Sequence, residues 1–207
     1  MIVKTKSGEI EGIKENLYYS FKGIPYAESP TGKNRWLAPK PVKPWSDVKS
    51  CKEFGSICPQ NELVYEQEAT SDYETGSNQN EDCLTLNIWT SDLNSKKPVL
   101  VWIHGGAYFL GSGADCLSDS EDICRDGKYV VVSMNYRLAC FGFLRLIDLT
   151  DGKIPSTGNE ALLDQIEALK WIQANISSFG GDPNNVTLIG QSAGGHSIGT
   201  LLAMPDA

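Results

Sequence analysis

No apolar run in this 207-residue chain approaches the length of a bilayer crossing, so no membrane-spanning helix is expected. Basic residues are in deficit: 18 Lys and Arg stand against 26 Asp and Glu, for a net charge of −8. A surface of that sign repels nucleic acid and anionic membrane, which argues against both as partners. The acidic residues are not gathered in a tail, so the charge reads most simply as a solubility feature. The six cysteines, at 51, 58, 83, 116, 124 and 140, include no C-x-x-C, and no zinc or other metal site is expected. Six are also too few for a disulfide framework in a chain of this size, and most read as small buried hydrophobes. The N-terminus lacks the apolar segment of a signal peptide, which points to a cytoplasmic protein, or a secreted one if a leader has been removed. Internal repeats and low-complexity tracts are absent as well. Histidine is the scarcest polar residue, with only His104 and His196.

What is present is the composition of an ordinary globular protein, 41% hydrophobic and 21% charged, with length for one sizeable core. Residues 2–6, 9–14 and 17–24 alternate and are separated by Ser7-Gly8 and Glu15-Asn16, the pattern of a small antiparallel meander. From 25 to 59 the prolines at 30, 39, 41 and 44 forbid regular helix and most sheet pairing, so ordered irregular structure is expected, pinned by Trp36 and Trp45. Residues 61–80 are polar and acidic and read as an exposed loop. Leu84, Leu86 and Ile88 then alternate as in a strand. The continuous apolar run 99–103 suits a strand buried on both faces, and 129–134 reads as another buried strand. Between them, 115–126 reads as a loop with a short helix. Over 159–179, Leu162, Ile166, Leu169, Ile172 and Ile176 recur at helical spacing and end at Gly180-Gly181-Asp182-Pro183, a stop signal. The order predicts an α/β fold with a mostly parallel central sheet entered through an antiparallel N-terminal edge.

The most informative stretch is Val186-Thr-Leu-Ile-Gly-Gln-Ser192-Ala-Gly-Gly195. A short buried strand, expected over 186–189, stops at a G-x-S-x-G pentapeptide, and small residues lead into a helical run over 196–203. A serine at the tip of such a turn is held in a strained conformation with its hydroxyl exposed, and the flanking glycines leave room for the turn. The helix after it aims unpaired N–H groups and the positive end of its dipole at the serine. Ser192 therefore reads as a nucleophile. A second signal sits at the end of the run 99–103, where His104-Gly105-Gly106-Ala107-Tyr108 exposes backbone N–H groups at the carboxyl end of a strand. Two of these donors, with the N–H of Ala193, would form a three-donor oxyanion hole.

With those two signals placed, the run Glu81-Asp-Cys-Leu-Thr-Leu-Asn-Ile-Trp89 resembles the E-D-C-L-x-L-N signature of type-B carboxylesterases, the cholinesterase-like branch of the α/β-hydrolase fold. The H-G-G-A-Y loop, N-Y-R-L-A-C-F-G-F-L at 135–144, L-L-D-Q at 162–165, F-G-G-D-P-N-N-V-T at 179–187 and the S-A-G-G of the elbow resemble the same family, in its order and across nearly the whole chain. Within the family, the short start of the chain looks like that of the bacterial p-nitrobenzyl-esterase type. The resemblance implies that residues 1–207 are the N-terminal part of a single α/β-hydrolase domain, truncated after the helix that follows the nucleophile elbow. It implies a serine hydrolase of small carboxylic esters that needs no metal or organic cofactor. It makes Ser192 the acyl-accepting nucleophile and the N–H groups of Gly106, Ala107 and Ala193 the oxyanion hole. Two structural ion pairs, Arg35 with Glu81 and Arg137 with Asp164, are implied, as is a disulfide between Cys58 and Cys83 that would stay open in a reducing compartment.

The sequence departs from the family in two places. Gln191 stands where the family usually has glutamate before the serine, which predicts altered substrate handling with the chemistry kept. The chain order of this fold puts an acid and then a histidine after the serine, and both lie beyond Ala207. His104 is expected to shape the oxyanion loop, and His196, one helical turn past Ser192, is expected to lie along its helix instead of facing the serine hydroxyl. The triad is thus incomplete within these residues, and the missing C-terminal part of the same protein becomes a candidate partner. Two other readings remain: a non-catalytic cholinesterase-like adhesion protein, and an inactive fragment.

Overall fold

The computed structural model describes residues 1–61, 78–114, 120–205 and 207. Most of the acidic stretch expected to be an exposed loop, and Cys116, lie outside the described residues. A small sheet joins β1 (Ile2–Lys4), β2 (Glu9–Glu11) and β5 (Lys49–Ser50). The main sheet contains β3 (Ile13–Lys14), β4 (Tyr19–Pro25), β6 (Thr85–Thr90), β8 (Val130–Met134), β7 (Lys97–Ile103) and β9 (Gly181–Gly190), in that spatial order. The N-terminal meander is therefore divided between two sheets. Gly12, between β2 and β3, makes the division possible, since a Cβ there would collide with Phe21 and the Ser20 carbonyl.

The main sheet is mixed. From β3 to β8 its neighbours pair antiparallel, and from β8 through β7 to β9 they pair parallel. The antiparallel edge is thus broader than sequence order suggests, because β6 pairs with β4 and β8 and not with its sequence neighbour β7. Chain order reverses about β7, which has β8 on one side and β9 on the other. That reversal puts the carboxyl ends of β7 and β9 at the switch point where sheets of this kind bind ligands.

Alternation along the strands sorts side chains to two faces. Val99, Val101, Ile103, Ile88 and Val132 join one core with Ile166, Ile172 and Ile176 of helix α3 (Glu160–Asn175) and the 3₁₀ turn after it. Trp89 and Val131 point the other way, to Cys124 of α1 (Ser120–Arg125). A short helix, α2 (Ala139–Gly142), precedes α3, and α4 (Ala193–Leu201) follows β9. The strand β7 is buried on one face and only half-buried on the other, at Leu100 and Trp102, in contrast to the continuous burial its apolar run suggests. The helical run 159–179 ends as its sequence predicts, with Gly180 in the left-handed conformation at φ 77°. Pro183 fits within β9 because the β7–β9 register shifts between Lys97 and Val99.

Candidate active site

Ser192 occupies the tip of the turn from β9 into α4, with φ 54° and ψ −119°, a left-handed backbone rare for a residue carrying a Cβ. The glycines around it are explained by close approach. A Cβ on Gly194 would run into the Ile103 carbonyl at the end of β7, and one on Gly190 would run into Gly194 itself. These two glycines let α4 start directly against the sheet, and the seryl side chain is left exposed. The elbow is a packing solution whose by-product is an accessible hydroxyl.

The loop leaving β7 lies beside it: a Cβ on Gly105 would stand 3.3 Å from the Ser192 Cβ. Gly106, Ala107 and Tyr108 follow with φ 101°, 51° and 66°, three consecutive left-handed residues. Successive N–H groups in such a bend can converge into an anion-binding concavity. Among the described residues, no hydrogen bond occupies the N–H of Gly106, Ala107 or Ala193. Ala193 is the first residue of α4, so its N–H is one of the donors a helix start leaves open. The structure thus brings Ser192 beside the loop and leaves the three expected N–H groups without a hydrogen bond among the described residues.

His104 is buried, with Nδ1 hydrogen-bonded to the Gly105 carbonyl at 2.7 Å and its ring stacked on Tyr136 at 4.3 Å. Burial lowers its pKa to about 4, so it is neutral at ordinary pH and shapes the loop's entry. The Tyr136 hydroxyl donates to the His104 carbonyl at 2.8 Å, and burial raises its pKa above the usual phenol value. His196 is exposed and its Nδ1 is 2.7 Å from the Tyr108 hydroxyl. No side chain among the described residues hydrogen-bonds the Ser192 hydroxyl. The Gln191 side chain lies over Gly105, where a Cβ would strike its Oε1, so a neutral amide rests against the loop.

The supporting residues frame this site. Arg137 grips Asp164 with Nε to Oδ2 and Nη2 to Oδ1, both 2.8 Å, in a pair buried on each side. Burial raises the Asp164 pKa while Arg137 opposes it. Arg137 Nη1 is buried with no hydrogen-bond partner among the described residues. Arg35 pairs with Glu81 at 2.6 and 2.7 Å, half-exposed. Cys58 and Cys83 are both buried free thiols, so the disulfide implied by resemblance is not formed here. Leu138 N donates to the Cys58 sulfur at 3.2 Å, and the neighbouring thiol of Cys83 lowers the pKa of Cys58 while Cys58 and burial raise that of Cys83. Two contacts had no sequence signal: the Tyr108–His196 bond, and the amide of Gln60, which pairs with both the N–H and the carbonyl of Gly111 at 2.7 and 3.1 Å. Both join residues far apart in the chain.

A mixed α/β sheet carrying a strained serine at one strand end, and a loop of free N–H donors at the next, defines the α/β-hydrolase class. The model of the carboxylesterase family matches residues 1–207, and the chain belongs to that family. It is 47% identical to the para-nitrobenzyl esterase of Bacillus subtilis (strain 168), over 100% of this chain and 41% of that protein. Against the acetylcholinesterase of Electrophorus electricus it is 38% identical, covering 100% of this chain and 34% of the enzyme. The structure of a thermophilic PNB esterase superposes with TM-score 0.89 at 45% identity, over 100% of this chain and 42% of that one. A carboxylesterase of Geobacillus stearothermophilus superposes with TM-score 0.87 at 40% identity, over 100% of this chain and 40% of that one. The chain therefore spans about two fifths of the bacterial esterases it matches.

Proposed function

We propose that Ser192 is the nucleophile of a carboxylic ester hydrolase. The observation that carries this is the left-handed Ser192, its hydroxyl exposed beside three unoccupied backbone donors. Attack of Oγ on an ester carbonyl forms the C–O bond of a tetrahedral oxyanion, which the N–H groups of Gly106, Ala107 and Ala193 stabilise. Collapse breaks the bond to the alcohol, which leaves with a proton, and water then releases the acyl group. The seryl proton needs a base, and neither histidine of the chain is free to take it. His104 is buried against Tyr136 and bonded to Gly105, and His196 is engaged by Tyr108. We assign the base and its orienting carboxylate to residues outside these 207. The names of the relatives support small esters as the substrate class.

The test is hydrolysis of a short-chain p-nitrophenyl ester by the 207-residue chain and by the longer protein carrying it, each beside Ser192→Ala. Turnover by the longer protein alone, lost in the alanine variant, is the expected result. Serine-dependent turnover by the 207 residues overturns the assignment of the base, and a silent longer protein overturns the esterase reading in favour of a binding protein.

A further inference from the structure

Tyr108 stands at the centre of the oxyanion loop, yet the ester chemistry assigns it nothing. It directly follows Ala107, whose N–H is one of the proposed donors. Its carbonyl accepts from Ala139 N at 2.8 Å and its ring packs on Phe143 with centroids 4.8 Å apart. Its hydroxyl is 2.7 Å from Nδ1 of His196, on α4, one turn past Ser192. Ser197 Oγ, held by Gln165 Nε2 at 3.1 Å, adds a long contact of 3.4 Å to the same hydroxyl. The phenol thus ties the loop after β7 to the helix after β9, across 88 positions of sequence.

That tie falls where the proposed mechanism is least secured. An oxyanion shared by Ala107 and Ala193 needs two N–H groups from different elements held at one spacing. The loop's own preferences work against this, because Ala107 and Tyr108 are non-glycine residues held in the left-handed region. The start of the loop is fixed by the end of β7, and its far end by the Gln60 amide on Gly111. The middle is turned on itself by Phe109 N and Leu110 N on the Gly106 carbonyl, and the Tyr108 hydroxyl carries its side-chain bond to α4.

We propose that Tyr108 and His196 are positioning residues. Their hydrogen bond latches the oxyanion loop to the nucleophile helix and sets the spacing between the Ala107 and Ala193 donors. The bond forms whether the phenol donates to a bare Nδ1 or a protonated Nδ1 donates to the phenol oxygen. The proposal rests on the esterase reading for its catalytic consequence, and on the geometry alone for the latch.

Amide hydrogen exchange on the full chain tests the latch without catalysis, with Tyr108→Phe, His196→Ala and the pair compared with the parent. Each single change should raise exchange roughly tenfold at Phe109, Leu110 and Ala139, whose N–H groups are bonded to the carbonyls of Gly106 and Tyr108, while the amides of β8 stay unchanged. The double variant should do no more than either single one, since both remove one bond. His196→Gln, whose amide can still meet the phenol, should restore protection. Unchanged exchange in the singles, or additive effects in the pair, overturns the latch. In the longer protein, Tyr108→Phe should lower kcat roughly tenfold or more with KM unchanged, and a loss confined to KM overturns the positioning role. If the parent hydrolyses no ester, the esterase reading fails, and the exchange result still decides the latch.

Discussion

At the scale of single residues, His104 carries the clearest solvent-dependent consequence. Its ring is buried and stacked on Tyr136, and its pKa is about 4 against an ordinary 6.5. As pH falls below 6.5 the unfolded chain takes the proton first, so stability is full above that value and drains away toward pH 4. The loss approaches roughly 3 kcal/mol over the window. His104→Phe keeps a ring against Tyr136 and removes the titration. Urea unfolding between pH 7 and pH 4.5 should therefore fall more steeply for the parent than for the variant. Parallel slopes would show that burial does not hold this imidazole neutral. The histidine was legible as a loop-shaping residue because it abuts the glycines of a strand end. Its partner Tyr136 was not, since nothing local links positions 104 and 136.

Among elements, the two family-implied ion pairs separate by environment. Arg137–Asp164 ties the segment after β8 to α3 in a dry setting, with Asp164 fully buried. Removing one partner strands a charge, and Asp164→Asn should cost about 3–5 kcal/mol in urea unfolding. Arg35–Glu81 has the same bidentate geometry, but its side chains are 40% and 23% exposed. Arg35→Ala should cost far less in the same measurement, because solvent screens the exposed pair. Equal losses would mean that burial does not set the difference. The helix α3 was readable from its apolar spacing and its glycine stop, and the end of β9 from its β-branched run. The strand itself begins at Gly181, and residues 186–189 are half-buried or exposed instead of buried, because β9 is an edge strand among the described residues. The division of residues 1–25 between two sheets was not, because the partner β5 lies in a proline-rich stretch without a strand pattern of its own.

For the molecule as a whole, the open side is β9. It pairs with β7 on one flank, and among the described residues no strand pairs with the other. Ile189 on β9 is 40% exposed and Leu202, after α4, is 86% exposed. An unpaired edge beside apolar surface favours strand-to-strand association. Sedimentation velocity across a rising concentration series should show the 207-residue chain self-associating, and Ile189→Lys with Leu202→Lys should reduce it. A chain that stays monomeric throughout would show that this edge is protected.

Local chemistry wrote much of this protein into its sequence. The turn G-x-S-x-G, the glycines after β7 and the stop after α3 are all demands that a few adjacent residues meet through backbone freedom or periodicity. Tertiary structure decided the rest. The reversal of strand order about β7, the exposure of one face of β7 and β9, the two neighbouring thiols and the Tyr108–His196 bond each depend on which distant segments meet. A side chain's spacing along the chain records the element it belongs to. Which partner that element packs against is settled only when the sheet closes and buried polar groups find their bonds.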